Sequence, residues 1–110
     1  MALSKLQYFE EISLRLSEFT KALSHPARLE ILETIAKRET CICSEIVNKL
    51  PLAQSTVSQH LKELKKYGLI NSEADGSKSC YTINWKALES SFGMVQGFAD
   101  KLKKLNGPGI

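Results

Sequence analysis

Long apolar runs, a secretory signal and a disulfide framework are all missing from this chain. No stretch comes near the roughly 20 apolar residues that a membrane-spanning helix needs. The first residues lack the basic and then apolar order of a signal peptide. The three cysteines are an odd number and do not suggest a secreted disulfide scaffold. We therefore expect a cytoplasmic protein whose thiols are reduced.

The chain also lacks the combinations of residues that build an active site. Its two histidines, His25 and His60, lie beside a proline and within a polar helical segment, without a paired serine or carboxylate motif. An enzyme active site needs a nucleophile and a base, or a metal centre, together with a pocket. The sequence therefore predicts that the protein is not an enzyme.

Length and composition indicate one soluble domain. A chain of 110 residues and 12.3 kDa has room for a single domain, to which we assign residues 1–110. Its hydrophobic content of 43% and charged content of 25% are ordinary for a globular protein. The net charge of +3 gives weak support for a polyanionic partner, but the lysines are concentrated around one helix. These are Lys62, Lys65, Lys66 and Lys78.

The most informative stretch is residues 54–70, which describe a helix with two different surfaces. Val57, Leu61 and Leu64 follow the i, i+4, i+7 spacing of a single apolar stripe. Polar and basic residues lie on roughly the opposite side, among them Ser55, Gln59, Lys62 and Lys66. Gly68 stands where a glycine ends a helix, and an apolar extended segment follows it. One surface suits a protein core and the other suits DNA.

The remaining pattern predicts a mainly helical chain that carries a two-stranded β-wing. Apolar spacing predicts helices over about 4–23, 26–38 and 40–50 before the polar helix, and over about 86–105 after it. The short turn around Pro51 makes residues 41–67 a helix-turn-helix. The predicted order is therefore α-α-α-α-β-β-α, a winged helix-turn-helix.

The wing is predicted over about residues 69–84. Two short strands, 69–73 and 79–84, flank a segment that contains Asp75 and Gly76, a pair typical of a tight hairpin turn. Alternation along the second strand sends Tyr81, Ile83 and Trp85 to one side, which we expect to face the core.

The chain resembles the ArsR/SmtB family of bacterial metal-responsive repressors over nearly its whole length. Three segments carry the resemblance: Leu-Ser-His-Pro-Ala-Arg-Leu-Glu-Ile-Leu at 23–32, Cys-Ile-Cys-Ser-Glu-Ile at 41–46, and Ser-Thr-Val-Ser-Gln-His-Leu-Lys-Glu-Leu at 55–64 with the ending Tyr-Gly-Leu-Ile at 67–70. The resemblance implies a homodimer built from the first and last helices. It also implies two recognition helices in successive major grooves of a palindromic operator, and repression that is relieved when a metal or metalloid binds.

The apolar stripes of the first and last helices agree with a dimer. They are longer than a small core needs, and an exposed apolar face usually marks an interface. Two-fold symmetry would separate the recognition helices by about one DNA turn, ~34 Å. The alternative is that both helices fold over the core of a monomer. The predicted interface residues are Leu6, Phe9, Ile12, Leu16, Phe92, Val95, Phe98 and Leu102.

The predicted DNA contacts are concentrated in the first half of the recognition helix. Short polar and amide side chains suit base edges in the major groove; these are Gln54, Ser55, Thr56, Ser58 and Gln59. Gln59 is the best single candidate. Lys62, Ser77 and Lys78 are better placed for phosphates. His60 lies at the edge of the apolar stripe, which favours a structural or phosphate contact over base readout, and His25 looks like a helix cap. The alternative is an ordinary solvated helix face.

Cys41 and Cys43 match the Cys-x-Cys motif with which the family binds arsenic, antimony, cadmium or lead. The predicted effector is therefore As(III), Sb(III) or another soft metal ion, with the third ligand not identified. On a helix, residues two apart point about 200° apart, so one ion can use both only if the first turn frays or a ligand comes from elsewhere. The alternative is that Cys43 is a core residue. Cys80 is expected to lie too far away to complete a site within the same subunit. The resemblance implies a second type of site that needs histidines and carboxylates on the last helix, but that helix carries Glu89 and Asp100 without a histidine, which disfavours a zinc or nickel site there.

The sequence thus predicts a sequence-specific DNA-binding regulator, a homodimeric repressor released by a thiophilic metal or metalloid. Two alternatives stay open. One is a related DNA-binding regulator that senses thiol oxidation or senses nothing. The other is a winged helix used only for protein contacts, since a fold does not imply a function.

Overall fold

Five helices and three strands make up the part of the chain that the structure describes. The computed structural model describes residues 8–38 and 41–107, and for Cys41, Ile42 and Asp75 it describes the backbone only. In chain order the elements are α1 (Glu11–Ala22), α2 (Pro26–Arg38), β1 (Cys41–Ile42), α3 (Cys43–Val47), α4 (Gln54–Lys66), β2 (Ile70–Asp75), β3 (Lys78–Ile83) and α5 (Trp85–Asn106).

Helices α2, α3 and α4 enclose the centre of the core. Their least exposed side chains are Ile31, Ile35, Ile46, Val57, Leu61 and Leu64. Each fully buried aliphatic side chain stabilises the fold by about 1.5–3 kcal/mol relative to an exposed one. The apolar stripe of α4 is therefore fixed on the core, and its opposite face is left at the surface.

The end of α4 is set by Gly68, which has φ of +78°, a left-handed value that favours glycine. The Leu69 amide donates to the Leu64 carbonyl over 3.0 Å, and the Gly68 amide donates to the Lys65 carbonyl over 2.9 Å. These two bonds and the buried pair Leu64 and Leu69 form a Schellman motif. The predicted stop of the helix at Gly68 is confirmed.

The hairpin is longer at its turn than predicted. β2 and β3 pair antiparallel from Ile70 opposite Ile83 to Asp75 opposite Lys78. Only Gly76 and Ser77 remain in the loop, and Gly76 has φ of +65°. Glycine at the first position of a two-residue loop lets the turn follow the twist of the strands, so pairing continues up to it.

The sheet has a third strand that we predicted to be helical. Cys41 and Ile42 pair antiparallel with β3, with Cys41 opposite Tyr81 and Ile42 opposite Cys80, giving the strand order β1-β3-β2. The outer edge of β3 would otherwise leave backbone amides and carbonyls without partners. Pairing of residues 41 and 42 with that edge satisfies some of them, and the helix starts only at Cys43.

The third helix also ends earlier than the predicted residue 50. The last helical residue is Val47, and the Lys49 and Leu50 amides donate to carbonyls three residues back, those of Ile46 and Val47. Leu50 precedes Pro51, and a residue before proline is disfavoured in the helical conformation. The chain therefore tightens into turns before the proline.

Two further expectations about the flanking helices were wrong. The predicted first helix reaches back to residue 4, but residues 8–10 are not helical and α1 begins at Glu11; residues 4–7 lie outside the described part. Trp85 is 58% exposed. It is the first residue of α5, so strand alternation no longer applies to its side chain, whereas Ile83 is buried as predicted.

No helix among the described residues is long and apolar enough to cross a membrane.

Helix α5 is capped by Asn84, whose Oδ1 accepts a hydrogen bond from the Ala87 amide over 3.2 Å. The Asn84 Nδ2 donates to the Gly68 carbonyl over 3.0 Å, and its backbone amide donates to the Leu69 carbonyl over 2.9 Å. One side chain thus joins the end of α4 to the start of the last helix.

Candidate nucleic-acid interface

The exposed face of α4 carries the residues predicted to read DNA. The five candidates for base contacts are all exposed: Gln54, Ser55, Thr56, Ser58 and Gln59. On the other face Val57 and Leu64 are 0% exposed, so the helix cannot turn its polar side inward. Short hydroxyl and amide side chains on a fixed helix match the donor and acceptor pattern of a major groove.

The first turn of α4 is open to a partner. Ala53 precedes the helix and provides no side-chain cap. The first amides of a helix have no partner within the helix and carry the positive end of its dipole. A phosphate oxygen placed at this end would therefore be favoured.

The wing lies next to the start of α4. A cavity of about 280 Å³ separates them and is lined on the helix side by Gln54 and Ser58, and on the wing side by Ser77 and Lys78. The fold thus brings two groups of predicted contact residues, more than 18 positions apart in sequence, around one open cleft. A duplex lying on α4 would meet the Lys78 ammonium beside the polar face.

The lysines of α4 are spread along its length. Lys62, Lys65 and Lys66 are all exposed. The Lys66 Nζ lies 5.8 Å from the centre of the Tyr67 ring, at the opposite end of the helix from Gln54. Lys62 is one turn after Ser58 and is therefore the lysine of α4 closest to the polar first half.

His60 makes protein contacts at the edge of this face. The Arg28 Nε donates a hydrogen bond to the His60 Nδ1 over 3.2 Å, and the His25 and His60 rings lie 4.5 Å apart between centroids. Burial lowers the pKa of His60 below its ordinary value of 6.5, and the charges of His25 and Arg28 lower it further. Both effects favour the neutral form of His60.

His25 caps α2, as predicted. Its Nδ1 accepts a hydrogen bond from the Ala27 amide over 3.0 Å. Arg28 is the residue that the sequence reasoning missed, since one arginine within a motif does not reveal its partner. Its guanidinium also donates to the carbonyls of Lys21 and Ala22, each over 3.3 Å.

Cys43 lies directly behind the polar face of α4. It is the first residue of α3, is half-buried against the core, and its Sγ is 3.5 Å from the Ser58 Oγ. The same side chain lines the cleft between α4 and the wing, so an ion in that cleft could reach the thiol. Cys43 thus packs partly on the core, as the core interpretation predicts, and its thiol is also accessible from the cleft, as a metal ligand requires.

The backbone conformation is compatible with one ion shared by Cys41 and Cys43, whereas a helix through both residues would not be. Cys41 lies in β1 rather than on a helix, so the 200° separation expected of two helical positions does not apply. Cys80 stands opposite Ile42 in the sheet, nearer in the fold than expected. Strand alternation places it on the other face from Tyr81, which packs on the core as Cys43 does. Among the described side chains, which do not include Cys41, no three metal-binding residues cluster.

A second surface, on α1 and α5, is apolar and exposed. The groove between these helices has a volume of about 480 Å³. Phe92 and Phe98 on α5 are 51% and 49% exposed, and Phe9 before α1 is 59% exposed. The remaining described members of the predicted interface are Ile12, Leu16, Val95 and Leu102, all at least partly exposed; Leu6 lies outside the described residues.

The attachment of α5 to the rest of the chain leaves most of this face uncovered. The Phe92 ring meets the buried Phe19 ring edge to face, with centroids 5.2 Å apart. Beyond Phe92 the apolar residues of α5 are partly or largely exposed within one chain. The alternative, in which both helices cover the core of a monomer, therefore does not describe the second half of α5, whose apolar side chains stay exposed.

The profile of the family described as "Bacterial regulatory protein, arsR family" matches residues 25–72. The chain is 35% identical over 74 residues to the arsenical resistance operon repressor of Staphylococcus xylosus, which covers 67% of this chain and 70% of that protein. It is 39% identical over 83 residues to the cadmium resistance transcriptional regulatory protein CadC of Listeria innocua, which covers 74% of this chain and 67% of that protein.

The fold is similar to that of an ArsR-like transcriptional regulator from a Rhodococcus species. The TM-score is 0.71 with 23% sequence identity, and the match covers 84% of this chain and 86% of the other. At this identity the similarity concerns the fold alone, and it confirms the predicted winged helix with mainly helical composition.

Proposed function

The chain belongs to the arsR family of bacterial regulatory proteins, and on this basis we propose that it is a homodimeric repressor that leaves its operator when a thiophilic ion binds. Members of the family are DNA-binding transcription regulators and not enzymes. The chain is accordingly a transcriptional regulator. The proposal concerns its oligomeric state, the sign of regulation, the effector and a cytoplasmic location.

The observation that carries the proposal is the pairing of an exposed polar face on α4 with the wing across one cleft. Gln59 and Ser58 are exposed on the helix, and Lys78 lies on the wing. Base-edge contacts give sequence preference, whereas phosphate contacts fix the register of the protein on the duplex. The groups proposed to contact bases and the lysine proposed to contact a phosphate lie side by side, as binding in the major groove requires.

The apolar face of α1 and α5 supports the homodimer. Large side chains that are half exposed in one chain, such as Phe92 and Phe98, are a liability unless another surface covers them. A second copy offers the same apolar face, and two-fold symmetry lets each patch cover its equivalent. Two recognition helices then face a palindromic operator together.

Cys41 and Cys43 are the proposed ligands of the effector. Thiolates prefer soft ions, and the relatives named above act in arsenical and cadmium resistance. Cys43 fits the role because its thiol borders an open cleft rather than a closed core. A bound ion would supply a positive centre that holds the thiolates. Because the Ser58 hydroxyl lies 3.5 Å from the Cys43 sulfur, binding of the ion would alter the contact between these two side chains.

The proposal is tested first by selecting bound fragments from random DNA and measuring affinity for the selected site by fluorescence anisotropy. We expect Gln59→Ala to weaken binding to that site by about 5- to 150-fold, the equivalent of about 1–3 kcal/mol for a lost base contact. Binding to random DNA should change little. Gln96→Ala, an exposed glutamine on α5, is the matched control and should behave like the wild type. Equal losses on both DNAs would contradict the assignment of Gln59.

Lys62→Ala should act differently, because an ammonium neutralises phosphates on any sequence. We expect weaker binding to the selected site and to random DNA alike, and a salt dependence whose log–log slope is smaller by about one. Lys103→Ala on α5, also exposed, removes the same charge away from α4 and serves as the control. An unchanged slope would show that Lys62 makes no phosphate contact.

A further inference from the structure

Arg28 occupies a junction between three helices. Its guanidinium belongs to α2, donates to the carbonyls of Lys21 and Ala22 at the end of α1, and donates through Nε to His60 on α4. The last carbonyls of a helix have no partner within it and carry the negative end of its dipole. A guanidinium, with five donors in a rigid fork, can satisfy them and still reach a third partner.

The junction depends on a neutral His60 ring. The His60 Nδ1 can accept from Arg28 only while it carries no proton. The His25 Nδ1 likewise accepts from the Ala27 amide, and its ring lies against that of His60. Protonation of His60 would turn this acceptor into a donor and place a second positive charge beside Arg28. The contacts observed are therefore those of the unprotonated state.

We propose that Arg28 is a positioning residue that holds the recognition helix α4 against α1 through neutral His60, so that acidification loosens α4 and weakens sequence-specific binding. The inference rests on the DNA-binding part of the proposed function. Because α1 also carries half of the proposed dimer face, the contact sets the angle between the recognition helix and the dimer. That angle decides whether both recognition helices fit one operator.

The surrounding charges define the direction of the pH effect. The groups that face His60 are His25 and Arg28, both cationic when protonated. Glu63 lies one turn further along α4. At the end of α1, Lys21 is the ionisable residue whose carbonyl accepts from Arg28. Burial and these neighbours lower the pKa of His60 below 6.5. The folded state therefore binds this proton less readily than the unfolded state. Stability and positioning are complete above pH 6.5 and are lost as the pH falls below it.

The test measures affinity for the selected operator and for random DNA between pH 8 and pH 5 at constant ionic strength. We expect the ratio of the two affinities to fall at least fivefold in the wild type as the pH is lowered. His60→Asn places an amide oxygen near the position of Nδ1, so it can accept from Arg28 at every pH. This variant should keep the ratio within about twofold of its pH 8 value. His25→Asn keeps the cap of α2 and should retain most of the pH dependence.

Arg28→Ala should show at pH 8 the low ratio that the wild type shows at low pH, with circular dichroism reporting whether the variant is folded. The titration of the His60 ring by NMR gives a readout without DNA. Its midpoint should lie below 6.5 in the wild type and move upward in Arg28→Ala. A wild-type ratio that stays constant or rises with acid would overturn the inference, as would a His60→Asn variant with the wild-type pH dependence. No preference for any DNA at pH 8 would instead contradict the proposed function, while the ring titration would still test the contact.

Discussion

A Phe98→Glu variant is expected to be monomeric and to lose at least about 100-fold in operator affinity. Phe98 is 49% exposed in one chain and lines the apolar groove between α1 and α5. In a dimer the glutamate would have to be buried without a partner, which costs several kcal/mol. Separated protomers then bind half-sites one at a time and lose the effective concentration that linkage provides, a factor of about 10²–10⁴.

The fold of one chain should survive this change, because Phe98 contributes little to the buried core. Circular dichroism would check the fold, sedimentation equilibrium the mass, and anisotropy the affinity. Gln96→Glu adds the same charge on the same helix, about 160° away from Phe98. It loses the hydrogen bond from Gln96 to Asp100 and places two carboxylates one turn apart, a cost of about 0.2–0.5 kcal/mol, and should leave both mass and affinity near the wild type. A Phe98→Glu protein that stays dimeric, or a monomer that binds the operator as tightly as the wild type, would remove the dimer from the proposed function.

The parts of this fold that could be predicted are those in which a repeating pattern and a local stop agree. In α4 the apolar stripe of Val57, Leu61 and Leu64 predicts the buried face, and Gly68 predicts the end. In the hairpin, Gly76 lies in the turn as predicted, whereas Asp75 is the last paired residue of β2 and not part of the turn. Each signal is local, because it depends on residues within a few positions of one another.

The parts that were missed depend on partners that are distant in sequence. Cys41 and Ile42 join a strand because the edge of β3, about 40 residues later, needs backbone partners. Arg28 reaches His60 across 32 positions, and no short-range pattern reveals that pair. The contact residues of the wing and of α4 could be predicted singly, but the cleft that joins them exists only in the fold.

The recognition helix is held at two points besides its apolar stripe. His60 in its middle is tied to α2 and α1 through Arg28, and Gly68 at its end is tied to the start of α5 through Asn84. Both points lead to the helices that carry the proposed dimer face. We therefore expect a change of the proposed dimer interface to reach α4 through these hydrogen-bonded contacts.

Cys43→Ser is expected to abolish the release of DNA by a thiophilic ion. In the wild type, arsenite, antimonite or cadmium should produce thiolate-to-metal absorbance where the ion gives such a band, and should weaken operator binding by about 5- to 150-fold, the usual range of allosteric coupling. A serine hydroxyl is a poor ligand for soft ions but can still pair with Ser58. We therefore expect neither absorbance nor release, with operator affinity in the absence of metal close to that of the wild type.

Cys80→Ser is the matched control, since strand alternation places Cys80 on the other face of the sheet from Tyr81 and the core. It should keep both the absorbance and the release. If Cys43→Ser still released DNA on metal addition, Cys43 would not be a ligand. If the wild type neither bound these ions nor released DNA, the metal part of the proposal would be wrong, while the DNA-binding part would stand on the Gln59 and Lys62 variants. Loss of release in Cys80→Ser alone would move the site to the wing.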